Sequence, residues 1–164
     1  MIVTEQFVWD VLNRVPDPEV PAISIVELGV VRKVDLIDDG VLVSLTPTYS
    51  GCPALKVMED HAREKLQGEG IDKVTFKLIY KPAWTTDWLS DATKQKLKEY
   101  GIAPPEKLKM EDILPYLQKE KPVLACPFCN SIDTKITSQF GSTACKSLHF
   151  CNACNQPFEH FKCH

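Results

Sequence analysis

The chain has 164 residues, 44% of them apolar and 25% charged, with a formal net charge of −3; that suits one ordinary globular domain plus a small satellite rather than a disordered chain. The charge gives no general basic field, which argues against a nucleic-acid partner, and no run approaches the ~18 apolar residues of a membrane span. Met1–Gln6 lacks the basic and apolar regions of a signal peptide, so the expectation is a cytoplasmic protein.

In chain order, Thr4 is placed to cap a first helix whose apolar stripe is Phe7, Val8, Val11, Leu12 and Val15. Pro16 and Pro18 stop it, and an acidic loop, Asp17-Pro18-Glu19-Val20-Pro21, follows. Strand pattern runs from about Gly29 to Ile37, with Val30, Val34 and Leu36 on one face. Asp38-Asp39-Gly40 predicts a hairpin turn, because Asp-Gly suits positive φ angles. The partner strand is Val41 to Thr46, with Val41, Val43 and Leu45 alternating.

A second helix is expected over Pro53 to Gln67, with Leu55, Met58, Ala62, Lys65 and Leu66 near one side and Gly68 and Gly70 ending it. Val74 to Tyr80 alternates as a third strand. Helix, strand, strand, helix, strand makes a small α+β domain with helices on one face of a short mixed sheet. Beyond Pro82, Trp84 and Trp88 read as core residues. A polar helix from Trp88 to Tyr100 ends at Gly101, and Ile102-Ala103-Pro104-Pro105 opens a linker. Lys107 to Lys121 holds a short helix at most, with a boundary near Pro122.

The seam between second strand and second helix, Thr46 to Ala54, carries Cys52. Pro53 suits the first helical position, which puts Cys52 at the N-cap, beside unpaired amides and the positive end of the helix dipole. Such a place favours the thiolate, the form that attacks electrophiles or binds metal. A small buried cysteine in a tight turn is the alternative, and chemistry alone leaves both open.

Seven cysteines, six of them after residue 125, fit a disulfide framework badly in a chain without an export signal. Cys126-Pro127-Phe128-Cys129 and Cys151-Asn152-Ala153-Cys154 are C-x-x-C pairs separated by 21 residues, the pattern of two knuckles closing a tetrahedral four-cysteine zinc site. Asn130 and Asn155, which follow the pairs, tolerate the left-handed turn that a knuckle needs. The segment is too short for a large core, so zinc would supply much of its folding free energy. An iron–sulfur cluster or a redox dithiol are the rivals; catalytic zinc is not expected, since four thiolates leave no open position. Cys145 and Cys163 are spare, with Lys146 beside Cys145 as a cation that could favour its thiolate, although a buried thiol is the plainer reading. His61, His149, His160 and His164 read as satisfied or solvated. From Cys126 onward the basic residues are Lys135, Lys146 and Lys162, too few for nucleic acid.

Asp17-Pro18-Glu19, Ser24 through Val31 and Thr46 through Pro53 resemble the iron–sulfur-assembly domain of SufT-type proteins. Adding Phe140 through Lys146 and Cys151 through Lys162, the chain resembles the PaaD (PaaJ) family over nearly its whole length; Tyr49–Pro53 together with the ribbon carries the specificity. The resemblance implies an assembly domain over 1–103, a linker over 104–121 and a zinc ribbon over 122–164. It implies a non-catalytic accessory subunit of the phenylacetyl-CoA 1,2-epoxidase system of phenylacetate catabolism, a multicomponent monooxygenase with a di-iron oxygenase and a flavin and iron–sulfur reductase. It further implies metallocentre maturation, with Cys52 handling iron or an iron–sulfur cluster transiently and Asp17 and Glu19 nearby. Partners are then the oxygenase or the reductase, and a second copy as homodimer. Taken alone, Asp17 reads as a turn former and Glu19 as a solvated charge. Two other functions stay in view. One is a structural or regulatory subunit that contacts the oxygenase, through the ribbon or Trp84 and Trp88, without handling metal. The other, an enzyme with Cys52 as nucleophile, is the weakest, because no histidine is placed as its base.

Overall fold

The computed structural model describes residues 2–106 and 124–162. The chain divides into two compact units, Met1–Thr93 and Lys94–His164.

In the first unit, α1 (Glu5–Leu12) is capped as the sequence suggests: Thr4 Oγ1 accepts from the Phe7 amide at 3.1 Å. Val8, Val11 and Leu12 are buried, and Val15 continues the stripe past the helix end. β1 (Val31–Ile37) and β2 (Gly40–Leu45) form an antiparallel hairpin, and β3 (Val74–Leu78) adds parallel to β2, in the order β1-β2-β3. The crossover between the parallel strands is α2 (Ala54–Gly68), whose buried face, Ala54, Met58, Ala62 and Leu66, repeats every four residues. It packs against α1 and β3; Val41, Val43 and Leu45 of the central strand are buried, while Lys33, Thr75 and Lys77 are exposed on the strands. The expected α+β frame with a short mixed sheet is the observed one.

Local departures have local causes. A bulge between Val31 and Lys33 resets the alternation, so Val31 and Val34 are both buried. Leu36, expected on one face with Val30 and Val34, is 45% exposed near the end of an edge strand, whereas its partner Val41 in the central strand is 1% exposed. The hairpin loop is Asp38-Asp39, and Gly40 pairs with Ile37 as the first strand residue. Gly40 is needed for close approach: a Cβ there would collide with the Lys73 carbonyl, which accepts from the Val41 amide at 2.9 Å. Tyr80, expected at the end of the third strand, lies beyond β3 and is exposed. α2 ends in a Schellman motif, with Ile71 N donating to Leu66 O at 3.0 Å, Gly70 N to Gln67 O at 2.9 Å, and Gly70 at φ 86°.

Between α1 and β1, Ser24 and Glu27 form a reciprocal capping box. Ser24 N donates to Glu27 Oε2 at 2.9 Å and Glu27 N to Ser24 Oγ at 3.0 Å. After β3 the chain returns over this turn. Trp84, buried, donates its Nε1–H to Leu28 O at 2.8 Å, and the Arg32 guanidinium lies 3.7 Å above the Trp88 ring. Gly29, at φ 79°, gives both indoles room. Trp84 is therefore a core residue, as read from sequence.

The helix expected from Trp88 is split: a single 3-10 turn, Thr86–Trp88, precedes α3 (Asp91–Glu99). The reason is a second capping residue, Ser90, whose Oγ accepts from Thr93 N at 3.1 Å. Ile102 and Ala103, read as the opening of a linker, form β4 (Ile102–Ala103), which pairs parallel with β7 (Gln156–Phe161). With β5 (Thr134–Ser138) and β6 (Lys146–Cys151) the second sheet runs β4-β7-β6-β5. Its core holds Ala103, Cys126, Cys151 and Phe158. The helix and boundary expected over Lys107–Pro122 lie outside the described residues, as do Cys163 and His164.

Candidate functional site

Two places carry chemistry. In the second unit the Cys126, Cys129, Cys151 and Cys154 sulfurs all lie within 4.8 Å of one another, with Cys126–Cys154 at 3.7 Å and Cys129–Cys151 at 3.6 Å. A tetrahedral zinc with bonds of about 2.3 Å sets sulfur–sulfur edges of about 3.8 Å, so the donor set fits that ion. The knuckles are shaped by left-handed Asn130 (φ 60°) and Asn155 (φ 55°), as their sequence positions suggest. Amides point at the sulfurs. Those of Cys154 and Ala153 bond to Cys151 and bring its pKa down to about 7, against the opposing effect of burial. Burial, then the neighbouring thiols, pushes Cys154 up to about 12. Cys126 and Cys151 are buried, Cys154 is half-buried and Cys129 exposed.

The other candidates of this unit are satisfied elsewhere. Cys145 is buried with its Sγ 2.9 Å from Thr143 Oγ1. Lys146, proposed as its cation, instead pairs with Glu159 at 3.0 Å. That carboxylate is held below its ordinary pKa although burial pushes it up, because the Ser142 amide and Lys146 outweigh burial. His149 Nε2 lies 2.9 Å from Ser147 Oγ and the ring stacks on Phe158. Burial, with the charges of His149 and Lys162, lowers His160 to about 4 and keeps it neutral. In the first unit, His61 is exposed on α2.

The second place is the turn between β2 and α2, at the C-terminal end of two parallel strands, where open α/β sheets gather ligands. Thr46 N donates to Val30 O at 2.8 Å, ending the sheet, and Cys52 N to Tyr49 O at 3.2 Å closes the turn. Gly51, at φ 78°, lets it bend. Pro53 occupies the N-cap, so Cys52 precedes it, one residue further out than the sequence implies. Pro53 offers α2 no side-chain cap, and Cys52 is half-buried just before that end. Thr48 Oγ1 donates to Cys52 Sγ at 3.8 Å. Thr46 and Thr48 are buried, and Thr46 Oγ1 has no hydrogen-bond partner among the described residues. Sequence reading gave these threonines no role, since a hydroxyl near a cysteine has no spacing signature.

Asp17 is 3% exposed, and its Oδ1 accepts from the amides of Glu19 at 2.9 Å and Val20 at 2.6 Å, an Asx turn. Glu19 is half-buried. The acidic loop and the Cys52 turn are linked through backbone: Ile25 N bonds to Val15 O, Val30 N to Ile25 O, and Val30 O receives Thr46 N. Asp17 and Cys52 have distinct hydrogen-bond partners in their own segments.

An α+β domain with a thiol at a strand–helix seam, followed by a four-cysteine ribbon, is the architecture of two known families in tandem: residues 5–76 match an iron–sulfur cluster assembly protein family, and residues 112–162 match the PaaD zinc beta ribbon domain. The chain is 42% identical to a protein of Escherichia coli (strain K12) that carries the name of a "Putative 1,2-phenylacetyl-CoA epoxidase" subunit, over 95% of this chain and 91% of that one. It belongs to the PaaD family that this relative represents. It is also 37% identical to the "Fe-S protein maturation auxiliary factor SufT" of Staphylococcus aureus (strain USA300), over 48% of this chain and 90% of that one. The fold resembles the crystal structure of a DUF59 domain from Bacillus anthracis, with a TM-score of 0.53 and 24% identity, over 57% of this chain and 90% of that one. No helix among the described residues is long and apolar enough to cross a membrane.

Proposed function

We propose that the protein is a non-catalytic accessory subunit of a cytoplasmic phenylacetyl-CoA epoxidase system, and that it helps to assemble or install iron or iron–sulfur centres in the oxygenase or the reductase. The names of its relatives support the accessory role. The observation that supports metal handling is the half-buried Cys52 sulfur just before the start of α2, a soft donor of the kind that iron and iron–sulfur clusters take. Cys52 receives the cargo; Asp17 holds the neighbouring loop in shape, and Glu19 is the nearby hard ligand or proton acceptor. The assembly domain performs this handling, and the ribbon, its zinc held by Cys126, Cys129, Cys151 and Cys154, serves as structure and contact surface. A homodimer is part of this reading.

Cys52→Ala tests it. The expected result is an intact, zinc-loaded protein whose clients, purified from the same cells, carry several-fold less iron. Normal client iron would remove Cys52 from the function. The relative's name as an epoxidase subunit, with Phe128 and Ile132 exposed in the ribbon unit, favours a second reading, a structural subunit that contacts the oxygenase. Co-purification with full epoxidase activity in the Cys52→Ala variant would select it.

A further inference from the structure

The first sheet has two edges, and the chain treats them differently. β3 is closed off on its outer side: Arg63 Nη1 donates to Val74 O at 2.6 Å, and the guanidinium lies 4.9 Å from the Phe76 ring centroid. β1 is blunted at its start, by the bulge between Val31 and Lys33. From Lys33 to Ile37 it pairs regularly with β2, and among the described residues it has no other strand partner. The main-chain groups that this edge turns outward follow from the register. Val41 N donates to Lys73 O at 2.9 Å, towards β3. Leu36, opposite Val41, therefore belongs to a non-hydrogen-bonded pair and aims its N–H and C=O away from β2. Val34, opposite Val43, does the same.

An unpaired edge is a template for another strand, and charge decides which. Exposed Lys33 and half-buried Asp35 stand on the sheet face opposite buried Val34 and pair with each other along the strand. A lone lysine would repel a copy of its own strand; a lysine and an aspartate placed symmetrically about a central residue do not. Val34 is the middle residue of β1 (Val31–Ile37). When β1 runs antiparallel to a second copy of itself about Val34, Lys33 falls opposite Asp35 of the second copy, and Asp35 opposite its Lys33. Both are non-hydrogen-bonded pairs, in which side chains come closest. Two-fold registers centred on Lys33 or Asp35 put like charges opposite, and one centred on Leu36 overlaps only Asp35 to Ile37 of the strand.

We propose that the outer edge of β1 is the surface on which a second copy of this chain docks, the two β1 strands pairing antiparallel about Val34 to join two three-stranded sheets into one. The interface is isologous, so the Lys33–Asp35 contact is made twice. Leu36 and Ile37, exposed at the end of one strand, come beside the first residues of the other. This rests on the homodimer in the functional reading and gives it a surface; Cys52 takes no part.

The test is sedimentation equilibrium of the full-length, zinc-loaded protein at concentrations up to about 100 μM. Wild type is expected to form a dimer. Lys33→Asp sets aspartate against aspartate twice, and Asp35→Lys sets lysine against lysine twice. Each is expected to raise the dimer dissociation constant about tenfold or more. The double variant, Lys33→Asp with Asp35→Lys, restores opposite charges and is expected to dimerise within about threefold of wild type. An equimolar mixture of the two single variants is expected to form the heterodimer, since each carries the charge that the other lacks. A monomeric wild type, a double variant as weak as the singles, or a mixture that stays monomeric would each overturn the proposal. Circular dichroism verifies the fold; if either single variant does not fold, Lys33→Glu or Asp35→Arg takes its place with the same expected result. A dimer insensitive to both reversals would also overturn it, while leaving the homodimer of the functional reading in place on another face. The client iron of Cys52→Ala is decided independently of all these outcomes.

Discussion

Asp17 uses its carboxylate to hold its own loop, taking the amides of Glu19 and Val20, while its own amide donates to Ile23 O at 2.9 Å. A buried acceptor removed from two donors leaves both unsatisfied, so Asp17→Ala should cost about 1–3 kcal/mol in denaturant unfolding. Asp17→Asn keeps an acceptor oxygen and should recover part of that. If Asp17→Asn had wild-type stability but depleted client iron, Asp17 would be a metal-handling group and not a loop former. At this scale the sequence was informative where one residue has one conformational job. Asp-Pro reads as a turn, and the Asn after each cysteine pair reads as left-handed. Cys52 at a strand–helix seam was legible to within one residue because Pro53 marks the helix start. Thr48 was not, since its contact with the Cys52 sulfur comes from the turn that brings the two together. Lys146 is the sequence neighbour of Cys145, yet its ion-pair partner is Glu159, and Cys145 is the buried thiol of its plainer reading.

Among elements, the ribbon depends most on something other than apolar packing. Two of the four residues in its core cluster, Cys126 and Cys151, are members of the sulfur group. A metal holding those thiolates is therefore the centre of the core, and binding free energy becomes folding free energy. A strong chelator should abolish the ordered β5–β7 resonances of an NMR spectrum, while those of α1, α2 and β1–β3 stay in place. Ribbon resonances unchanged after zinc is removed would show that the apolar contacts suffice. The strands and α2 were readable from period-two and period-four patterns, because each buries one face of several residues. β4 was not: two residues between a glycine and a proline show no period, and the pairing with Glu159 and His160 is remote in sequence. The break between the 3-10 turn and α3 was concealed by a helical pattern running through Ser90, which can cap a helix as well as sit inside one.

Across the whole molecule, each unit completes itself with chain that its recognisable motif leaves out. The match to the assembly family ends at residue 76, yet Trp84 closes over the Ser24–Gly29 turn by donating to Leu28 O. The four-cysteine motif begins at Cys126, yet the second sheet takes its outer strand from Ile102–Ala103, and Ala103, 1% exposed, lies in its core. Gly101, at φ 89°, turns the chain from α3 into that strand and leaves space for the Phe128 ring. A zinc-loaded fragment beginning at Pro122 should thus be less stable than one beginning at Asp91, by about 1–3 kcal/mol for the missing burial. It should also self-associate through the bared edge of β7. Equal stability and a monomeric short fragment, in denaturation and sedimentation, would make β4 dispensable. The unit of inheritance is then longer than the signature by which it is found. A ribbon copied or grafted from its first cysteine pair onward would arrive without one of its own strands, and a host protein would have to provide a replacement.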